Sequence, residues 1–210
     1  MAFNIDCTRC ERLATFLADV REQYPNYHGR PVASFGDPQA RLLVVGLAPG
    51  MHGANATGRP FTGDHAGILL YQTLYDHGFA NQAEAVRADD GLKLLDCRIT
   101  NAVRCLPPQN KPVGAEVNNC NDYLRDEIST LKAGSIVLAL GGVAHTAVLK
   151  ALKVRKVDFP FGHGSDHSMP GKLRLLSSYH CSRYNTQTRR LTADMFANVF
   201  ATARAYLDEQ

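Results

Sequence analysis

Two short, nearly continuous aliphatic runs constrain the fold of this chain most. They are residues 41–47 (Arg-Leu-Leu-Val-Val-Gly-Leu) and 135–140 (Ser-Ile-Val-Leu-Ala-Leu). Runs of this length with no polar alternation read as parallel strands covered on both faces. Residues 97–103 and 172–178 read as two further strands. Helical patterns separate the four. Leu13, Phe16, Leu17 and Val20 recur at helical spacing before the first strand. Val117, Cys120, Leu124, Ile128 and Leu131 mark one face of a helix between the second and third strands, and residues 144–152 form a short apolar helix after Gly141-Gly142. Thr192 can cap a last helix whose apolar face holds Phe196, Val199, Phe200, Tyr206 and Leu207. Strands alternating with helices predict an α/β fold, a three-layer α/β/α sandwich with a central, mainly parallel, four-stranded sheet, in one domain over residues 1–210. Ligands of such folds bind beyond the carboxyl ends of the strands. Segments 48–64, 104–112, 141–146 and 179–188 are therefore the places to look, and 48–66 and 155–171 are expected to be irregular.

An apolar content of 45% and a charged content of 20% place the chain among globular proteins with a sizeable core. No apolar run approaches the roughly 20 residues needed to span a bilayer. Residues 1–8 lack the pattern of a signal peptide, so a cytoplasmic location is expected. The net charge of +3 neither demands nor forbids nucleic acid.

Six cysteines in a reducing compartment are poorly explained by disulfides. Four of them follow the pattern Cys7-x2-Cys10, a gap of 94 residues, then Cys105-x14-Cys120. Thiolates in fours hold iron–sulfur clusters and tetrahedral zinc alike, while a lone Cys-x2-Cys also serves redox sites. Cys97 and Cys181 fall outside the pattern and read as buried free thiols.

Residues 46–64 contain five glycines and two prolines, which precludes a continuous helix and leaves backbone N–H groups free for a ligand. Neither a dinucleotide nor a P-loop fingerprint is present. Phe61 in this loop is either a buried anchor or a platform for stacking a base. His180 follows a buried strand directly and, alone, would read as a structural residue. With Ser182, Arg183, Asn185 and Thr186 behind it, an anion-contacting loop becomes credible.

Three segments together resemble a known superfamily. Gly-Leu-Ala-Pro-Gly at 46–50 and Gly-Arg-Pro-Phe-Thr-Gly-Asp at 58–64 are similar to the first active-site motif of the uracil-DNA glycosylases. Ile-Thr-Asn-Ala-Val-Arg-Cys-Leu-Pro-Pro at 99–108 resembles the strand bearing the base-reading asparagine in its iron–sulfur families. Tyr-His-Cys-Ser-Arg-Tyr-Asn-Thr at 179–186 resembles the histidine motif, and the four cysteines stand where those families place cluster ligands. The similarity is strongest to the fifth family, or type B. Leu47 stands where the fourth family carries a Glu, and His-Cys-Ser-Arg replaces the His-Pro-Ser of much of the superfamily.

The resemblance implies a monofunctional DNA glycosylase that hydrolyses the N-glycosidic bond of a flipped, deaminated base. Relatives of this type accept uracil, hypoxanthine and ethenocytosine in double-stranded DNA. It further implies that Phe61 stacks on the base, Asn101 reads its edge, and His180 stabilises the leaving anion. Ala48, Gly50 and Met51 offer backbone contacts. Because Leu47 cannot position water, Asn55 with Asn101 is the expected pair for that task, with Asp64 bracing the loop or acting as base. Ser182, Arg183, Asn185 and Arg189, the last with its neighbour Arg190, are the expected phosphate contacts. Cys7, Cys10, Cys105 and Cys120 are expected to bind a structural [4Fe-4S] cluster, and the chain to act as a monomer. A uracil-restricted enzyme like the fourth family, and a catalytically silent DNA-binding protein stapled by zinc, are the alternatives. The missing dinucleotide fingerprint weighs against a third, a nucleotide-binding redox enzyme.

Overall fold

The computed structural model describes residues 3–209. Its centre is a six-stranded sheet in the order β1-β3-β2-β4-β6-β5. The strands are β1 (Phe35–Gly36), β2 (Leu42–Gly46), β3 (Cys97–Asn101), β4 (Ile136–Leu140), β5 (Asp166–Met169) and β6 (Leu173–Ser178). Strands β3, β2, β4 and β6 are mutually parallel neighbours, and β1 and β5 pair antiparallel at the two edges. The four predicted strands are thus the parallel core, and the sheet is two strands wider than expected. The edge strands escape pattern reading because β1 is two residues long and β5 is the polar stretch Asp-His-Ser-Met.

Alternation along the core strands explains their continuous apolar runs. Leu42, Val44, Ile136, Leu138 and Leu140 face one side, with Leu70, Leu74, Phe196 and Phe200. These belong to helices α3 (His65–Asp76) and α7 (Ala193–Asp208). Leu43, Val45, Val137 and Ala139 face the other, packed on Leu124, Ile128, Val148 and Leu149 of α4 (Gly114–Ser129) and α5 (Gly142–Ala151). Both faces are covered, giving the expected three layers. Thr192 caps α7, its side chain accepting from the Met195 N–H at 3.2 Å. Tyr206 lies beside that helix's buried stripe of Phe196, Val199, Phe200, Ala203 and Leu207, with the Arg174 guanidinium 4.4 Å from its ring centre.

Helix α1 (Glu11–Gln23) stands apart from the sheet and packs Leu13, Leu17 and Val20 on Val103, Cys105 and Leu106, which follow β3. Arg12 of α1 forms a bidentate pair with Glu116 of α4, at 2.7 and 2.8 Å. Glu116 also accepts from the Val113 N–H at 2.8 Å, capping α4. No helix among the described residues is long and apolar enough to cross a membrane.

Strand β2 lies between β3 and β4, so the connections diverge on either side of it. The crevice at such a switch point is where open α/β sheets place their ligands. The loops following β2, β3, β4 and β6 all meet there.

Candidate active site and cysteine centre

A cleft of about 760 Å³ opens at this switch point. Its floor is built from strand ends. Gly46 and Asn101 are paired at the carboxyl ends of β2 and β3. A side chain at Gly46 would collide with the Asn101 amide oxygen and lie 2.6 Å from the Phe61 ring, so glycine there is what lets both reach the cleft. Asn101 is 3% exposed, and its Oδ1 is buried with no partner among the described residues. A lone buried amide oxygen costs about 1–3 kcal/mol unless a ligand or water satisfies it.

Phe61 adopts a left-handed backbone, φ 58°, unusual for a residue with a side chain and costing on the order of 1–3 kcal/mol. Its ring is 6% exposed and lies 6.0 Å from the His180 ring, with 25° between the planes. It is thus anchored in the core and also lines the cleft. His180 borders the cleft with its Nδ1 buried and unpartnered among the described residues. Burial pushes the imidazole pKa down to about 4, which keeps the ring neutral at pH 7.

Asp64 opens α3 but does not cap it; its Oδ2 accepts from the Ala54 N–H at 3.1 Å. The carboxylate fits against Gly50 and Gly53, where any side chain would overlap it. It lines the cleft, and desolvation raises its pKa despite the backbone bond. Asn55 is placed differently. It sits in the short helix α2 (Ala54–Thr57), is 0% exposed, and donates from its amide to the Met51 carbonyl at 3.4 Å. It is not among the residues lining the cleft, and neither is Met51, which packs beside α1. Ala48 and Gly50 do line it.

The histidine loop closes one wall. Of the residues expected at phosphates, Ser182, Arg183, Asn185 and Arg190 line the cleft and Arg189 does not. Ser182 caps helix α6 (Arg183–Gln187) by accepting from the Asn185 N–H at 3.4 Å. The Asn185 amide donates to the His180 carbonyl at 2.8 Å, fixing the strand end that carries the imidazole. Arg190 stacks its guanidinium 4.7 Å from the Tyr179 ring centre. Pattern reading missed His65, Gln109, Asn110, Lys111 and Phe161, all cleft-lining. The post-strand rule could have found Gln109, Asn110 and Lys111, which lie in segment 104–112. His65 bonds Thr186 at 3.3 Å, joining the β2 loop to α6.

On the other side of β3, Cys7, Cys10, Cys105 and Cys120 converge on one small cavity of about 20 Å³. All six cysteines are free thiols. The Arg104 N–H points to Cys120 Sγ at 3.3 Å, and the Asn119 amide to Cys10 Sγ at 3.6 Å. Burial, with the neighbouring thiols of Cys120, Cys7 and Cys10, pushes Cys105 up to about 12. Among the described residues no three His, Cys, Asp or Glu side chains are spaced to ligate a single ion. Four soft donors with N–H groups directed at sulfur do fit an iron–sulfur cluster, whose sulfurs take such hydrogen bonds. Cys97 and Cys181 are buried elsewhere in the core.

Comparison with known proteins agrees with this geometry. Residues 33–204 match the model of the uracil DNA glycosylase superfamily. A type-5 uracil-DNA glycosylase of Thermus thermophilus is 43% identical over 203 residues, covering 94% of this chain and 92% of the relative. One from Pyrobaculum aerophilum is 41% identical over 205 residues, covering 96% and 89%. A type-4 uracil-DNA glycosylase of Archaeoglobus fulgidus is 30% identical over 141 residues, covering 67% and 57%. The chain belongs to the uracil-DNA glycosylase superfamily and, within it, to the type-5 family, and is a DNA glycosylase of the hydrolase class.

Proposed function

We propose that residues 1–210 work as one domain that removes uracil, hypoxanthine and other deaminated bases from double-stranded DNA, leaving an abasic site. The observation that carries this reading is the pair of unpartnered buried polar atoms, Asn101 Oδ1 and His180 Nδ1, in the cleft that Phe61 also lines. Groups left unsatisfied in a site are groups a ligand can satisfy. A base cannot meet them inside a duplex, so it must be flipped into the cleft.

With the base against Phe61, the Asn101 amide reads its edge. Cleavage of the C1′–N bond leaves positive charge on the sugar and negative charge on the base. The neutral His180 imidazole donates a hydrogen bond to the base carbonyl as that charge grows. A preorganised donor of this type stabilises a transition state by about 2.7–4 kcal/mol. Water must then reach the sugar, and for this task we favour Asp64 over Asn55. Asp64 lines the cleft with a carboxyl of raised pKa, whereas Asn55 lies outside the lining. Its task is to orient and deprotonate the water that attacks the oxocarbenium. The cleft lacks a carboxylate at Leu47, which supports breadth of substrate.

Arg183, Arg190 and Lys111 at the rim supply positive charge for phosphates, and Ser182 and Asn185 stand beside them. We take the protein to act as a monomer in the cytoplasm, on cellular DNA. Cys7, Cys10, Cys105 and Cys120 would hold a [4Fe-4S] cluster that ties α1 to the loop after β3. Such a centre supplies structural cross-linking and carries no step of the hydrolysis.

The test is base release from single- and double-stranded oligonucleotides containing uracil, hypoxanthine or only normal bases. Release of both damaged bases from duplex, with normal DNA intact, supports the broad reading. Uracil alone would return the protein to a restricted specificity. Binding without release would leave a DNA-binding module.

A further inference from the structure

Phe61 holds a left-handed backbone conformation that its own side chain disfavours, so its neighbours must impose it. Arg59, two residues before it, is the centre of that restraint. An arginine in a DNA-binding loop invites a phosphate-contact reading, yet this one is 4% exposed and outside the cleft lining. Its guanidinium forms a bidentate pair with Asp90, at 2.8 and 2.7 Å, and donates to the Ala88 carbonyl at 3.3 Å. Its Nε donates to Thr62 Oγ1 at 2.6 Å, so the same side chain grips the residue that follows Phe61. The Phe35 ring covers it, with 5.0 Å from Cζ to the ring centre.

Asp90 is fixed in turn. Besides Arg59 it accepts the backbone N–H groups of Val86, Arg87 and Leu92, at 2.9, 3.1 and 3.1 Å. Segment 85–92 is therefore a strap wound on one carboxylate, and Gly63 N–H adds a bond to the Ala85 carbonyl at 3.1 Å. Tyr71 completes the restraint by donating its hydroxyl to the Pro60 carbonyl at 2.6 Å. Residues 59, 60, 62 and 63 are all held, and Phe61 is left to aim its ring at the cleft.

We propose that the Arg59–Asp90 ion pair is a positioning device, which holds Phe61 in its left-handed conformation and sets the stacking platform for the flipped base. A buried ion pair is often replaceable by apolar groups without loss of stability, so stability alone is a poor reason for it. Its bidentate geometry instead fixes orientation, which a lysine at position 59 could not reproduce. The inference deepens the glycosylase reading and rests on it.

The experiment is a double-mutant cycle of Asp90→Asn with Phe61→Leu, read as single-turnover uracil release from duplex DNA and as affinity for a duplex carrying a reduced abasic site. Asp90→Asn is expected to slow release about 10- to 100-fold, the cost of displacing a group in a reacting site. Duplex affinity should stay within about twofold, because the rim residues are untouched, and the double variant should release no more slowly than Phe61→Leu alone. Asp90→Glu should recover part of the rate. Wild-type rates in folded Asp90→Asn, or losses that multiply in the double variant, would overturn the inference. Should Asp90→Asn fail to fold, Thr62→Val cuts the Arg59 Nε bond and leaves the ion pair; a slowed release supports the device and an unchanged rate contradicts it. A wild-type protein releasing no base would refute the glycosylase reading instead.

Discussion

The rings of Phe61 and His180 face each other 6.0 Å apart and 25° from parallel, one carried on the loop after β2 and the other just beyond β6. The two rings are thus delivered by strands that are not adjacent in the sheet, with β4 between them, and in the proposed function they are the stacking surface and the hydrogen-bond donor for one base. His180→Ala should slow uracil release by about 10²–10³-fold, the usual cost of removing one such donor. Single-turnover rates alongside circular dichroism check it, since the variant should remain folded.

The pKa of His180, held near 4 by burial, gives a signed expectation for stability. The unfolded chain takes up the proton near pH 6.5 and the folded protein does not, so stability is present above pH 6.5 and lost as pH falls toward 4. His180→Asn should flatten the fall of Tm across that window. An equally steep fall in the variant would contradict the assigned burial effect.

Asp64 has the opposite sign. Its folded pKa is raised by desolvation, so ionisation at neutral pH costs stability that protonation returns as pH falls through the raised value. Asp64→Asn can keep the acceptor for Ala54 N–H and should raise Tm at pH 7 while lowering activity, the trade expected of a strained site. Uracil release should fall far more in Asp64→Asn than in Asn55→Ala. The reverse order would restore Asn55 to the water.

Cys120→Ala, or chelation of the loaded protein, should loosen α1, which packs on Cys105 and Leu106 beside the cysteine cavity. Visible absorbance and about four irons per chain are expected of the native protein. Limited proteolysis should then cut within residues 11–23 only after metal loss. A colourless protein carrying zinc would overturn the cluster assignment.

Arg183→Ala should weaken binding to any duplex and reduce the slope of log K against log salt by about 0.9, one phosphate contact. Arg189→Ala should do less, because Arg189 lies outside the cleft lining. Fluorescence anisotropy over a salt series measures both.

Much of this was legible from local pattern. The core strands are continuous aliphatic runs, and α1, α4 and α7 carry clear stripes. Helix α3 is not legible in the sequence, because Ile68, Leu69, Leu70, Tyr71, Leu74 and Tyr75 leave no clean polar face and a glycine-rich loop precedes it. Asn101 and His180 stand at strand ends, whose position topology dictates, whereas their proposed roles rest on the family resemblance. Whether Asn55 would border the cleft is not legible from spacing, because it depends on how the short helix α2 packs, and there the residue is 0% exposed and outside the lining. The Arg59–Asp90 pair was invisible for the same reason: 31 residues separate the partners, and a lone arginine reads as surface.

The account stands most directly on single-turnover release of uracil from duplex DNA by the cluster-loaded wild type and Asn101→Ala. It predicts rapid release by the wild type and a loss of at least about 10²-fold in the variant, whose pocket can no longer read the base edge. A folded, brown wild-type protein that binds the duplex and releases no uracil would contradict it.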